Sequence, residues 1–103
     1  MIENNKTYCF DLDGTLCTNT EGDYENALPY TERISIVNDL YEKGNTIIIE
    51  TARGSKTGID WNQITKNQLN KWGISYHKLR AGVKIAADIY IDDKGINDKS
   101  FFE

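Results

Sequence analysis

The sequence contains few of the residues that mark unusual architectures. Its 103 residues include one proline, one histidine and two cysteines, and no low-complexity tract interrupts them. Cys9 and Cys17 are too few for a disulfide framework, so we expect free thiols and a reducing compartment. The length, together with a hydrophobic content of 39%, fits one globular domain over residues 1–103.

Long apolar runs and an excess of positive charge are also lacking. The longest strongly apolar run, at 46–49, is far shorter than the roughly 20 residues that span a bilayer. The stretch at 1–6 is polar overall and lacks the apolar core of a secretion signal. With a formal net charge of -4 and a pI near 4.9, the chain would repel a nucleic-acid backbone. We therefore expect a cytoplasmic protein with no membrane partner and no nucleic-acid partner.

The pattern of apolar residues predicts alternating strands and helices. Four short runs predict strands, at residues 7–10, 46–49, 74–77 and 88–91. The run at 46–49 is apolar without alternation, which is typical of a strand that is covered on both faces in a parallel sheet. Segments 31–43 and 60–72 have the apolar spacing of helices, and each is followed or ended by a glycine.

This order of elements predicts an α/β fold. We expect a three-layer, Rossmann-like sandwich with a small, mainly parallel central sheet. Ligands of such sheets bind outside the carboxyl ends of the strands. Polar residues follow three predicted strands at those ends, namely Asp11 with Asp13, residues 51–53, and residues 92–93. Residues 14–30 hold few apolar side chains and are predicted to form a loop or small flap.

The Asp11 and Asp13 carboxylates can converge once the chain turns at Gly14. Such a pair alone also occurs in ordinary polar turns. Read as a whole, Phe-Asp-Leu-Asp-Gly-Thr-Leu at 10–16, set beside Ile-Asp-Asp at 91–93, resembles the haloacid dehalogenase superfamily of phosphohydrolases. The resemblance spans residues 8–93 and implies a fold of that type. The segments between the motifs are too short for the inserted cap domain of larger members.

The resemblance implies a role for each acidic residue. Asp11 would be the nucleophile and form an aspartyl-phosphate, since a carboxylate can attack phosphorus in line. Asp13 would be the general acid and then the general base. A cation must offset the repulsion between carboxylates and a phosphate, and Mg²⁺ favours such oxygen ligands. Its implied ligands are the Asp11 side chain, the Asp13 backbone carbonyl and the Asp92 side chain.

Five further residues are implied to contact the phosphate or to support that contact. Thr51 would donate its hydroxyl to a phosphoryl oxygen, beside the backbone N–H groups of Ala52 and Arg53. Lys84 would neutralise charge on the phosphoryl group, and Asp93 would hold Lys84 in place.

Alternatives to these assignments remain at several positions. Lys78 and Arg80 compete with Lys84 for the role of phosphate-binding cation. The Arg53 side chain is either a substrate-side cation or a solvated loop residue. The one histidine, His77, has no metal-ligand partner at a useful spacing and is interpreted as structural.

A narrower resemblance concerns the substrate. Five short segments together are similar to small phosphatases of bacterial capsule and polysaccharide loci: Thr-Ala-Arg-Gly at 51–54, Asp-Trp at 60–61, Gln-Leu at 68–69, Trp-Gly-Ile at 72–74 and Tyr-Ile-Asp-Asp-Lys at 90–94. This similarity implies a small phosphorylated sugar or polyol as substrate. A phosphotransferase, or a binding protein that keeps the fold without turnover, would have the same residues. The modest core expected at this length favours a homo-oligomer, either a dimer or a tetramer.

Overall fold

A parallel sheet lies at the centre of the computed structural model, which describes residues 5–53, 61–81, 89–92, 96–97 and 101–102. Within these residues the sheet has five strands in the order β3-β2-β1-β4-β5, and every neighbouring pair is parallel. The strands are β1 Thr7–Asp11, β2 Thr46–Thr51, β3 Lys78–Ala81, β4 Ile89–Asp92 and β5 Ile96–Asn97. The predicted α/β class with a parallel sheet is confirmed.

The central position of β1 and β2 follows from their composition. Residues 47–49 of β2 are all buried, as an uninterrupted apolar run requires of a strand that is covered on both faces. β1 pairs with β2 from Thr7 opposite Thr46 onward, and with β4 on its other side. The carboxyl ends of β1, β2 and β4 therefore lie along one edge of the sheet.

Two helices connect the strands within the described residues. α1 spans Thr31–Glu42 and buries Ile34, Val37 and Leu40, as the spacing of its apolar residues predicts. α2 spans Asn62–Lys71 and buries Thr65 and Leu69. A short 3₁₀ helix, Tyr24–Asn26, is the helical element within the predicted flap.

The hydrophobic core joins β1, β2, β4 and both helices. Its members also include three residues of the turn after β1, and the aromatic side chains of Phe101 and Phe102 pack against it. The fully buried members are Phe10, Leu12, Leu16, Cys17, Val37, Leu40, Ile47, Ile49, Leu69 and Ile91. This core fixes the strand ends on which the candidate site is built.

The predicted third strand at 74–77 is wrong, since β3 begins at Lys78. Gly73 has a φ of 72° and reverses the chain after α2. The Ile74 N–H then donates to the Leu69 carbonyl at 3.0 Å, and the Ile74 side chain is 6% exposed. Ile74 is therefore the hydrophobic contact that accompanies a helix end rather than the first residue of a strand. The two-residue strand β5 is too short for a periodic signal and was not predicted.

Two further observations bear on the expected environment. Neither helix of the described residues is long and apolar enough to cross a membrane. Cys9 and Cys17, which both lie within the described residues, are buried and form no disulfide.

Candidate functional site

A tight turn directly after β1 fixes the position of Asp13. The Leu12 carbonyl accepts hydrogen bonds from the N–H groups of Thr15, Leu16 and Cys17 at 3.2, 2.9 and 3.2 Å. Gly14 has a φ of 87°, a left-handed conformation that glycine adopts without strain. Leu12 and Leu16 are fully buried. The turn predicted at Gly14 is thus anchored in the core, and it holds Asp13 at the edge of the sheet.

The Asp13 carboxylate forms a forked ion pair with Arg53. Arg53 Nε lies 3.2 Å from Asp13 Oδ1 and 3.1 Å from Oδ2, and Arg53 Nη2 lies 2.8 Å from Oδ1. The hydroxyl of Thr51, the last residue of β2, donates to Asp13 Oδ2 at 3.3 Å. The Arg53 N–H in turn donates to Thr51 Oγ1 at 3.1 Å. Thr51 and Arg53 are therefore both directed at Asp13.

The other side of the Arg53 guanidinium is held by α2. Arg53 Nη1 donates to Thr65 Oγ1 at 3.1 Å and to Gln68 Oε1 at 2.6 Å. Arg53 is only 4% exposed, which excludes the interpretation of it as a solvated loop residue. We refer to Asp13, Thr51, Arg53, Thr65 and Gln68 as the Arg53 cluster. This cluster connects the turn after β1, the end of β2 and one side of α2.

The flap at 14–30 covers part of the Arg53 cluster. The Tyr24 ring lies over the guanidinium, with its centroid 4.6 Å from Arg53 Cζ. Gln68 Nε2 donates to the Tyr24 carbonyl at 2.6 Å, and the Tyr24 ring meets Trp61 edge-on at 5.0 Å. The flap predicted from composition is therefore an ordered segment docked on α2 and Arg53.

Cys17 lies beside the cluster. Its Sγ atom is 3.6 Å from both Asp13 Oδ1 and the Leu12 carbonyl oxygen. The pKa of the Cys17 thiol is raised to about 12, mainly by burial and next by the negative charge of Asp13, while the positive charge of Arg53 acts in the opposite direction. The group is a neutral thiol at neutral pH, and the thiolate that a cysteine nucleophile needs is absent.

Asp11 and Asp92 lie at adjacent strand ends. Phe10 of β1 pairs with Ile91 of β4, so the next residues along each strand are Asp11 and Asp92. Neighbouring strands of a sheet are about 4.8 Å apart. Two carboxylate-bearing residues at this spacing supply oxygen donors that suit Mg²⁺. The side chain of Asp92 is not among those that the structure describes. Among the side chains that are described, no three from histidine, cysteine, aspartate and glutamate are grouped so that they could hold a metal ion.

Of the remaining predicted residues, some lie outside the described part of the chain and the others are described but form no hydrogen bond or ion pair with Asp13 in the structure. Lys84 and Asp93 lie outside the described residues. Lys78 begins β3 at its amino end, opposite Ile48, and is therefore distant from the edge that carries Asp13 and Thr51. Arg80 lies nearer that edge, opposite Glu50, and is exposed. Ala52 is exposed next to Thr51.

His77 also lies at the amino end of β3. Its Nδ1 atom accepts a hydrogen bond from the Ile47 N–H at 3.0 Å, and its ring stacks on Tyr41 with centroids 4.6 Å apart. These contacts support the structural interpretation of His77.

Three contributors to the site were missed by the sequence reasoning. Thr65 was not singled out, Gln68 was given no role in the site, and Tyr24 was part of an undivided flap. The available signal was the pair of polar residues three positions apart on the buried side of a short helix, where apolar residues are the norm. Such a pair indicates a buried polar partner from another element.

No family model and no curated protein sequence matches this chain. The fold is similar to the crystal structure of an MCSG target from Vibrio cholerae, with a TM-score of 0.74 and 29% identity over 94% of this chain and 87% of that chain. It is also similar to a chain in the structure of a Pnkp1/Rnl/Hen1 complex, with a TM-score of 0.60 and 20% identity over 82% of this chain. In the structure of the Pnkp1/Rnl/Hen1 RNA repair complex, a chain matches with a TM-score of 0.64 and 18% identity over 95% of this chain. The matches span only 31% and 39% of those two chains. At 20% and 18% identity, the similarity to these two chains of the Pnkp1/Rnl/Hen1 assemblies is a similarity of fold alone.

Proposed function

We propose that this chain is a Mg²⁺-dependent phosphatase of the haloacid dehalogenase type, without a cap domain, that hydrolyses a small phosphate monoester through an aspartyl-phosphate on Asp11. The observation that carries the proposal is the meeting of Asp11, Asp13, Thr51 and the backbone of Asp92 at one edge of a parallel sheet. The distant likeness of fold to chains of the Pnkp1/Rnl/Hen1 assemblies agrees with phosphoryl transfer.

The proposed reaction has two displacements at phosphorus. An Asp11 oxygen forms a bond to phosphorus while the bond to the ester oxygen breaks, and Asp13, after it has taken up a proton from solvent, gives that proton to the leaving oxygen. Water then loses a proton to Asp13 and attacks phosphorus, and the bond to Asp11 breaks. Asp11 and Asp13 return to their starting forms, and one ester and one water yield an alcohol and phosphate.

The charges of the site require compensation. Bound by the Asp11 side chain, the Asp13 carbonyl and the Asp92 side chain, Mg²⁺ would offset the negative charge of carboxylates and phosphate. We assign phosphate binding to the Thr51 hydroxyl and to backbone N–H groups at Ala52 and Arg53. The Thr51 hydroxyl would turn from Asp13 to a phosphoryl oxygen, since it carries a single hydrogen.

Lys84 is proposed as the cation on the phosphoryl group, held by Asp93. This assignment rests on the resemblance of the sequence motifs. The place of Lys78 at the far end of β3 makes it the weaker candidate. An Arg53 side chain that is already paired with Asp13 is a poor phosphate ligand.

A small phosphorylated sugar or polyol is the proposed substrate class. The net charge of -4 works against a polynucleotide. We propose that the flap at 14–30 limits water at the site, and that a dimer or tetramer supplies further burial. The buried thiols of Cys9 and Cys17, which form no disulfide, agree with a cytoplasmic location.

The test is release of phosphate from para-nitrophenyl phosphate with and without Mg²⁺. We expect turnover that requires Mg²⁺ and falls by at least about 1000-fold in Asp11→Asn, because the amide is no nucleophile. Asp39→Asn is the matched control, since Asp39 is exposed on α1 and pairs only weakly with Lys43 at 3.7 Å. Activity retained in Asp11→Asn would contradict the proposal.

A panel of sugar, polyol and nucleotide phosphates separates the alternatives. Hydrolysis of a sugar or polyol phosphate supports the proposed substrate class. Transfer of the phosphoryl group to an added alcohol, detected by product analysis, would instead identify a phosphotransferase. No turnover of any ester would indicate a binding protein that has kept the fold.

A further inference from the structure

The donors of the Arg53 side chain are fully used within the protein. A guanidinium has five N–H donors. Arg53 Nε and one Nη2 donor go to Asp13, and the two Nη1 donors go to Thr65 and Gln68. Arg53 Nη2 also lies 4.0 Å from Cys17 Sγ, which accounts for the fifth. A phosphate could reach this guanidinium only by displacing one of these partners.

The bonds of Arg53 to Asp13 constrain the orientation of the carboxylate plane. A single charged donor would leave a carboxylate free to rotate about its Cβ–Cγ bond. Here two nitrogen atoms of one planar group reach both oxygens of Asp13, the paired geometry that fixes direction as well as distance. The Asp13 side chain remains 18% exposed, whereas that of Arg53 is 1% exposed. The arginine is thus the buried support, and the carboxylate faces the site.

Arg53 is itself held by a rigid element. Thr65 and Gln68 lie on α2, which is anchored in the core by the fully buried Leu69. Gln68 uses its carbonyl oxygen for Arg53 and its amide nitrogen for the Tyr24 carbonyl of the flap. The position of the Asp13 carboxylate is therefore set by α2 and by the docked flap, through one arginine.

We infer that Arg53 is a positioning residue that holds Asp13 for proton transfer to the leaving oxygen, and that its side chain does not bind the phosphate. The inference rests on the proposed function and deepens it. Proton transfer in the transition state needs the acid within hydrogen-bond reach of the leaving oxygen, and small misplacements are costly. Gln68 positions Asp13 indirectly, because it holds the Arg53 side chain.

The test compares two esters of nearly the same shape, phenyl phosphate and 4-nitrophenyl phosphate. The phenolate is the more basic leaving group and depends more on an acid. In Arg53→Lys the charge is kept but the fork is lost. We expect kcat/KM, which reports formation of the aspartyl-phosphate, to fall about 100-fold on phenyl phosphate and less than about fivefold on 4-nitrophenyl phosphate.

Two other variants complete the test. Gln68→Ala removes a partner of Arg53 without touching Asp13, and we expect about a tenfold fall in kcat/KM on phenyl phosphate and a much smaller fall on 4-nitrophenyl phosphate. This variant decides the matter if Arg53→Lys does not fold. Arg33→Lys is the matched control, because Arg33 donates to the Thr15 carbonyl in the same turn at 2.9 Å and not to Asp13. Its ratio of rates on the two esters is expected to equal that of the wild type.

Three results would overturn the inference. A rise in KM on both esters would mean that Arg53 binds the phosphate. An equal fall in kcat/KM on both esters without a rise in KM would mean that its role is structural. A wild-type protein without turnover would refute the proposed function and this inference together, and is recognised before any variant is compared.

Discussion

The two ends of the parallel sheet both carry buried polar side chains, but of different kinds. At the carboxyl end, Arg53 bonds almost entirely to other side chains, foremost the partly exposed Asp13. At the amino end, the buried Asn45 bonds to backbone groups, accepting from the Lys6 N–H and donating to the Leu40 carbonyl, each at 3.0 Å. The neutral side-chain amide of Asn45 satisfies two backbone groups and so stabilises the fold. A buried charge that is aimed at a partly exposed carboxylate is the arrangement that the proposed proton transfer would use.

The cost of disturbing the two ends should differ for the same reason. Loss of Arg53 leaves the Asp13 carboxylate in a partly buried place without its counter-charge. Loss of the Asn45 side chain removes two hydrogen bonds and leaves no charge behind. Substitutions at the amino end should therefore lower stability alone, whereas substitutions of Arg53 at the carboxyl end should lower both stability and activity.

The largest effect on stability is expected for Arg53→Met. We expect the free energy of unfolding to fall by about 3 kcal/mol, because one partner of a mostly buried ion pair is removed. Urea unfolding measures this loss. In the double variant Asp13→Asn with Arg53→Met, more than half of the loss should be recovered, since no unpaired charge remains. Additive losses would show that the ion pair is not what Arg53 contributes.

Asn45→Ala should cost less and should leave the chemistry alone. Two hydrogen bonds to backbone groups are lost, and we expect the free energy of unfolding to fall by about 2 kcal/mol. The kcat on both phenyl esters should stay within about twofold of the wild type. If Asn45→Ala changes the ratio of the two rates as Arg53→Lys does, the contrast between the two ends fails.

A smaller, pH-dependent effect is expected from Cys17 beside the Arg53 cluster. Burial raises the pKa of its thiol from 9.0 to about 12, so above pH 9.0 the unfolded chain has lost a proton that the folded protein keeps. Stability should therefore fall as the pH rises from 9.0 towards 12, by about 1.4 kcal/mol per pH unit from this group. Unfolding of the wild type and of Cys17→Ala over this range measures the difference in slope. Parallel curves would mean that the thiol ionises normally in the folded protein.

Much of the fold was predictable because the sequence signals are local. The apolar run at 46–49 predicts a central parallel strand, and the spacing of apolar residues in 31–43 predicts α1, and both are confirmed. Ile74 misled the prediction of β3, since an apolar residue after a glycine serves equally well at a helix end. Distinguishing the two requires knowing where α2 packs.

The site was predictable only in part. The motif at 10–16 gives Asp11 and Asp13 directly, and the strand order places Thr51 at the same edge of the sheet. The partners of Arg53 are separated from it along the chain, and each is a common polar residue, so no local pattern links Arg53 to Asp13 or to Gln68. The ion pair forms because the turn after β1 and the segment after β2 come together next to α2.

The most direct test of the central claim is a search for the phosphoryl group on Asp11 itself. Wild-type protein is mixed with Mg²⁺ and para-nitrophenyl phosphate, quenched rapidly in acid, digested and analysed by peptide mass spectrometry. We predict a phosphorylated peptide with the modification at Asp11, which is absent from Asp11→Asn and disappears when the substrate is exhausted. Turnover without any phosphorylated peptide, or with the group on Asp13 or Thr51 instead, would contradict the account.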